Sequence, residues 1–493
     1  MPFKRSRWPA LLAALTFCTA ALAELPPRVR QALQQAQVPP SAMAVLVAPA
    51  DTPTLQPSLV HREHAAMNPA SVMKLLTTYA GLQLLGPDHV WRTRVYTEGR
   101  LQGGVLQGQL LLRGGGDPKL VLEQVQALVA EIRAAGVQEV RGDIVLDRSV
   151  FEVAPRESPF DDEPLRPYNV APDGLLMNFG SLIFSFSPDA GSGRARVRAE
   201  PPLAGLQLPA EVPLRSGPCQ DWRSGLQADF AEPLRPRFAG GYPASCGERS
   251  WPLAFAEPAQ FAPRMFEALW REGGGRLSGQ VRWGQVRDDA PLLLTHRSQP
   301  LRELIADINK MSNNVMAQQL FLTLSSELGA PGRMAASRLR LLQWWRAQFA
   351  GLPEPVVDNG AGLSREERSS ARALAQLLLQ ARRDVHAQVF LDSLAIAGVD
   401  GTVARLAERS PQSPLIGRAW LKTGSLRDVA SVAGYVQSRS GRLYVVVGLV
   451  NHPNAGKARP ALEQLLEWVA QEGPAREGPG RKARPSPPLS TAH

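Results

Sequence analysis

Residues 68–85, NPASVMKLLTTYAGLQLL, spell a helix that is apolar on nearly every side and yet carries a serine and, one turn later, a lysine. Val72, Met73, Leu75, Leu76, Leu82, Leu84 and Leu85 leave little face for solvent, so the segment is expected at the centre of a domain, covered by other elements. Asn68 reads as its N-cap and Pro69 as the first helical residue, since proline has no N–H to lose there. Ser71 then lies in the first turn, and Ser71, Lys74 and Thr78 form the one polar stripe. A cation at that place opposes the helix dipole and gives up its hydration. Both effects favour the neutral amine, the form in which lysine acts as a general base. A serine hydroxyl within its reach is a candidate nucleophile.

The rest of the chain sets the compartment and the partners. At 493 residues it exceeds one ordinary core, so about two or three domains are expected. Residues 1–23 read as a signal peptide: Lys4, Arg5 and Arg7, an apolar run, then Ala21-Leu22-Ala23 before Glu24. That places the mature chain in the periplasm. Cys219 and Cys246 are then an even pair in an oxidising compartment and are expected to be bridged. No later run is long and apolar enough to span a bilayer, so at most peripheral membrane association is expected. The net charge of +10 is spread without an aromatic-interleaved patch, and export argues against nucleic acid. The kind of base is more telling: seven lysines stand against 48 arginines. Lysine is kept where a compact, deprotonatable group matters, and Lys74 and Lys422 are among the few.

Along the chain the texture changes twice. SAMAVLVAPAD (41–51) and the segment toward His64 read as strands, followed by the 68–85 helix. Residues 95–289 are rich in glycine and proline and alternate in hydropathy, which predicts short strands and turns with a helix near 121–135. From 291 the pattern is helical again, with further helices near 335–349 and 370–382. Residues 417–451 read as three antiparallel strands, and 457–471 as a final helix. The expectation is an α/β (α+β) domain built from 24–94 and 290–472, interrupted by a mainly β insertion at 95–289 that forms two domains. A Pro/Gly-rich disordered tail follows at 473–493.

Three short motifs occur in order, each once: Ser71-Val-Met-Lys74, Ser312-Asn-Asn314 and Lys422-Thr423-Gly424. The first opens a buried helix, the second lies at a helix junction, and the third ends a strand before a hairpin. Together they are the signature of penicillin-binding proteins and serine β-lactamases. With YNVAPDGLLMNFG (168–180), DNGAGLSR (358–365), IAGVDGTVARL (396–406) and LKTGSLRDVASVAGYV (421–436), the chain resembles the low-molecular-mass D-alanyl-D-alanine carboxypeptidase/endopeptidases (DacB-like, peptidase family S13). The long stretch from Lys74 to Ser312 resembles that family's large insertion, which compact β-lactamases lack.

The resemblance implies a penicillin-binding-protein/β-lactamase-like transpeptidase fold and hydrolysis of D-Ala-D-Ala bonds in peptidoglycan stem peptides and crosslinks, with β-lactams as covalent inhibitors. Ser71 would be the nucleophile, Lys74 its base and Ser312 a proton relay. Asn314 would hold the substrate amide, while Lys422, Thr423 and Gly424 would grip the carboxylate. The backbone N–H groups of Ser71 and Ser425 would hold the oxyanion. No cofactor and no metal enters this chemistry. HREH (61–64) is neither H-E-x-x-H nor H-x-x-E-H, G-x-S-x-G is absent, and His452 reads as structural. The rival readings are a serine β-lactamase, which would want a deacylating glutamate in E-x-x-L-N where no Leu-Asn pair exists, and a silent wall-binding protein, which would be expected to have lost a motif member.

Overall fold

The computed structural model describes residues 24–152 and 160–471; the expected signal peptide and C-terminal tail lie outside the described residues. The two ends of the described chain meet in one six-stranded sheet. From edge to edge it runs Ala395–Ile396, Ala419–Leu426, Val429–Gln437, Leu443–Asn451, Met43–Pro49 and Leu59–His61, and every neighbouring pair is antiparallel. Val45 lies opposite Gly448, so a strand from near the start of the chain is zipped to one from near its end.

Runs such as VLVAP and VVVGLV form central strands because both of their faces are covered. Ala44, Leu46, Ala433, Tyr435 and Val447 point into a core shared with helices Met73–Leu85, Leu301–Lys310, Asn314–Ser326 and Ala371–Ala381. Met43, Val45, Val432 and Val446 point the other way, onto helices Pro27–Gln35 and Arg459–Gln471. Each buried aliphatic side chain contributes about 1.5–3 kcal/mol. Alternate residues of one strand thus serve two cores, and a register slip of one residue would exchange them. No helix among the described residues is long and apolar enough to cross a membrane.

The intervening segment carries a seven-stranded and a five-stranded sheet. One hydrophobic core, including Val95, Leu112, Leu128, Phe186, Met265 and Trp270, draws on both and on helices Leu122–Ala134 and Pro258–Glu272. Pairing carries the larger sheet a few residues past 95–289 on each side, because Arg92–Gln102 pairs with Leu292–Arg297. The helical pattern expected from 291 therefore begins only at Leu301. LLLTHR forms a strand instead because the long strand beside it offers unpaired backbone groups, and the tertiary partner overrides the propensity of three leucines.

Cys219 and Cys246 are bonded, with Cα atoms 4.8 Å apart, inside the five-stranded lobe and outside the core that holds the 68–85 segment. A crosslink closing a loop of this length is worth roughly 3.5 kcal/mol on the chain-entropy account. Reduction is expected to lower the melting temperature while leaving most activity at moderate temperature. Calorimetry and turnover with and without a reductant check this, and an equal loss of both would show the lobe to be part of the active centre.

Candidate active site

The entrance to the lysine-bearing helix is tighter than the sequence suggested. Asn68 is not the helix cap: its Oδ1 accepts from Ala70 N at 2.8 Å ahead of the helix, Ala70–Val72 form a 3-10 turn led in by Pro69, and the α-helix starts at Met73 with Val72 at its cap position. Pro69 therefore precedes the turn and is not the first residue of the α-helix. Ala70 sits at φ +46°, a conformation that costs on the order of 1 kcal/mol or more and is held by its surroundings. Asn68 and Asn451 exchange backbone–side-chain hydrogen bonds at 2.7 and 2.9 Å, and Ser431 Oγ donates to Pro69 O at 2.7 Å. Two glycines complete the fit. A Cβ on Gly424 would lie 3.0 Å from Ser71 N, and one on Gly362, at φ +78°, would lie 2.0 Å from Ala70 O. The strand end and the 358–364 loop thus clamp the turn that carries Ser71, and only residues without a Cβ allow so close an approach.

The three motifs come together around this turn. Lys74, 0% exposed, donates to Ser71 Oγ at 3.1 Å, to Asn314 Oδ1 at 2.6 Å and to the Ala361 carbonyl at 2.5 Å. Lys422, also 0% exposed, donates to Ser312 Oγ at 2.8 Å and to Thr423 O at 2.8 Å. The centre therefore holds two serine–lysine pairs. Ser312 sits at φ +57° in the junction between helices Leu301–Lys310 and Asn314–Ser326; the cap of the second helix is Asn313, whose Oδ1 accepts from Met316 N at 3.1 Å. Ser312 and Asn314 are thus spared capping duty. Thr423 Oγ1 lies 2.8 Å from Thr402 Oγ1, and Ser425 Oγ accepts from Arg459 at 3.1 Å. An open cavity of about 570 Å³ is bordered by Ser71, Ser312, Thr402, Thr423, Ser425 and Arg459.

Electrostatics separate the two amines. Burial pushes Lys74 well below the ordinary lysine range, the charge on Lys422 adds to that, and the Glu367 carboxylate opposes it. Burial alone brings Lys422 down to about 7. Lys74 is the amine depressed by both burial and a like charge, as a base working near neutral pH requires.

Every sequence-predicted site residue lines or adjoins this centre, with one shift of partner. Asn314, expected on the substrate amide, turns its side-chain oxygen to Lys74. The sequence reading missed Ala361, Thr402, Arg459 and Glu367. Ala361 acts through its backbone carbonyl, which no residue type announces; the glycine spacing of DNGAGLSR is the available signal. The three histidines weighed from the sequence have partners elsewhere: His61 Nε2 lies 2.9 Å from Pro40 O, His64 stands 3.6 Å from Glu63, and His452 Nδ1 accepts from Asn454 N.

Comparison with known proteins fits this geometry. The chain is 30% identical over 436 residues to a D-alanyl-D-alanine carboxypeptidase of Actinomadura sp. (strain R39), covering 82% of this chain and 78% of that protein. Its fold is shared with the crystal structure of penicillin binding protein 4 (dacB) from Haemophilus influenzae, at TM-score 0.71 and 22% identity over 89% of this chain and 99% of that one. A predatory endopeptidase from Bdellovibrio bacteriovorus, solved with penicillin G acylated to it, matches at TM-score 0.52 and 13% identity over 87% and 91%. The family model of the D-Ala-D-Ala carboxypeptidase 3 (S13) family matches residues 25–472, and the chain belongs to that family of serine-type hydrolases.

Proposed function

We propose that Ser71, Lys74 and Ser312 carry out the family's D-Ala-D-Ala peptidase reaction here, with Asn314, Lys422, Thr423, Gly424 and Ser425 holding the substrate. The observation that supports this most is the pair of buried lysines, each donating to a serine hydroxyl that borders one open cavity. The substrate strand lies along Ala419–Leu426 with its carbonyl over the Ser71 turn. Neutral Lys74 takes the proton of Ser71 Oγ as the oxygen bonds to the carbonyl carbon. The oxyanion faces the backbone N–H groups of Ser71 and Ser425, and the close approach at Gly424 brings the two chain segments together.

The C–N bond then breaks. The proton taken from Ser71 leaves with the amine by way of the Ser312 hydroxyl, which Lys422 holds in place. Water cleaves the resulting ester and restores Ser71. Lys422 and the Thr423 hydroxyl meet the carboxylate that stands beside the leaving amine, in a terminal D-Ala and in a crosslink alike.

The substrates of this reading are peptidoglycan stem peptides and their crosslinks, met in the periplasm if residues 1–23 direct export. β-Lactams join them as acylating inhibitors; the Bdellovibrio endopeptidase has been solved acylated by penicillin G. Purified muropeptides decide the matter. Incubation is expected to release D-Ala from pentapeptides and to convert crosslinked dimers to monomers, read by mass. Unchanged masses for both substrates would reject the reading.

A further inference from the structure

Behind Lys74 lies a carboxylate that the reaction described above does not use. Glu367 is 0% exposed. Its Oε1 accepts from the backbone N–H groups of Asp358, Asn359 and Gly360 at 3.1, 3.1 and 2.9 Å, while Oε2 is buried with no hydrogen-bond partner among the described residues. The next residue of that loop is Ala361, whose carbonyl takes the Lys74 amine at 2.5 Å, and the one after is Gly362, which packs on Ala70. Thr77, one turn beyond Lys74, ties to Gly360 O at 2.6 Å. One carboxyl oxygen thus gathers three consecutive amides, and the gathered loop presents a carbonyl to the base.

A glutamine would make the same three bonds without burying a charge. Burial pushes the Glu367 carboxyl above the ordinary carboxylate range and the three N–H groups pull it back, so a charge kept here against that cost has a use. The use is nearby. Lys74 from helix Met73–Leu85 and Lys422 from strand Ala419–Leu426 are buried amines, and the Glu367 charge bears on Lys74. Of the other charges around it, that of Asp358 also bears on the Glu367 carboxyl and opposes its ionisation. Asp358 pairs outward with Arg338 at 2.7 Å, Glu366 is exposed, and Arg368 donates to the carbonyls of Arg365 and Glu367.

We propose that Glu367 is a positioning residue of the reaction: one oxygen fixes the 358–360 backbone so that the Ala361 carbonyl holds the Lys74 amine against Ser71, and its charge acts on that amine. The role rests on reading Ser71 and Lys74 as the reacting pair. It implies that the carboxylate keeps Lys74 more basic than burial beside Lys422 alone would leave it, strengthening the base at the cost of moving its working range upward.

The test follows the rate of acylation by labelled penicillin from acid to alkaline pH in the full chain. Glu367→Gln keeps the acceptor and removes the charge. Its acid limb is expected about one pH unit below that of wild type, a tenfold change in the neutral-amine population along the limb. Glu367→Ala frees the three amides and is expected to lose at least tenfold in rate at pH 7, a loss that Glu367→Gln restores. An acid limb unmoved in Glu367→Gln, or a rate as low as that of Glu367→Ala, would overturn the proposal. Should Glu367→Ala not fold, the limb of Glu367→Gln still decides. A wild type that takes no label overturns the Ser71–Lys74 reading and this one with it, whereas a labelled wild type with an unmoved limb removes Glu367 alone.

Discussion

Labelled penicillin is expected to mark the protein one-to-one at the peptide that carries Ser71, and Ser71→Ala to abolish the mark. The drug presents a strained amide beside a carboxylate, the same pair of groups that a D-Ala-D-Ala terminus offers. Ser71 Oγ stands 3.1 Å from the amine of a lysine with no exposure to water. Burial and the neighbouring Lys422 both favour the neutral amine, so the proton has somewhere to go when the hydroxyl attacks. Lys74→Ala removes general-base assistance worth about 10²–10⁴-fold. It also leaves the half-buried Asn314 Oδ1 and the buried Ala361 carbonyl without their donor, and it deletes the amine on which the Glu367 charge acts. The total loss should therefore exceed the general-base factor alone. Release of the drug should be far slower than its capture. Mass spectrometry of the intact protein over time reads both rates. Rapid return to the free mass with hydrolysed drug would favour a β-lactamase, and no adduct at all would remove Ser71 from the nucleophile's place.

How much of this could be read from the chain depends on which kind of group carries the information. Lys74 was legible because an ammonium inside an apolar helix contradicts every local preference, and such contradictions gather at functional sites. The strands of 417–451 were legible because a sheet covered on both faces writes itself as continuous runs such as VVVGLV. The start of the helix was not: the 3-10 turn at Ala70–Val72 is imposed by Gly362, Gly424 and Ser431, which arrive from far along the sequence. Strand Leu292–Arg297 was missed for the same reason, since its partner begins at Arg92. Ala361 contributes a carbonyl, and every residue has one. Glu367 is the hardest case. In SREERSS it stands among charges and reads as one more solvent-facing residue, and only the closing of the 358–364 loop over it reveals a buried group.

Lys422→Arg is the substitution in which charge and mechanism part. Net charge is unchanged, yet turnover of a D-Ala-D-Ala peptide is expected to fall by about 10²–10³-fold, the loss typical of removing one well-placed donor at a reacting centre. The Lys422 amine is enclosed, with Ser312 Oγ and Thr423 O both at 2.8 Å. A guanidinium is longer, planar and forked, and it cannot take an ammonium's place without displacing Ser312 or the Thr423 backbone. The pH dependence separates this from simple misfolding. In the wild type, kcat/KM should rise with pH as Lys74 loses its proton, at a value well below that of an ordinary lysine. It should fall as Lys422 loses its own proton, near 7, because the carboxylate then meets a neutral amine. Bound substrate carboxylate stabilises the charged form, so the falling limb of kcat should lie at higher pH than that of kcat/KM. Arginine stays protonated throughout, so the residual activity of Lys422→Arg should keep the rising limb and lose the falling one. A falling limb that persists in the variant assigns it to another group. Turnover within a few-fold of wild type would reduce Lys422-Thr423-Gly424 to the end of a strand.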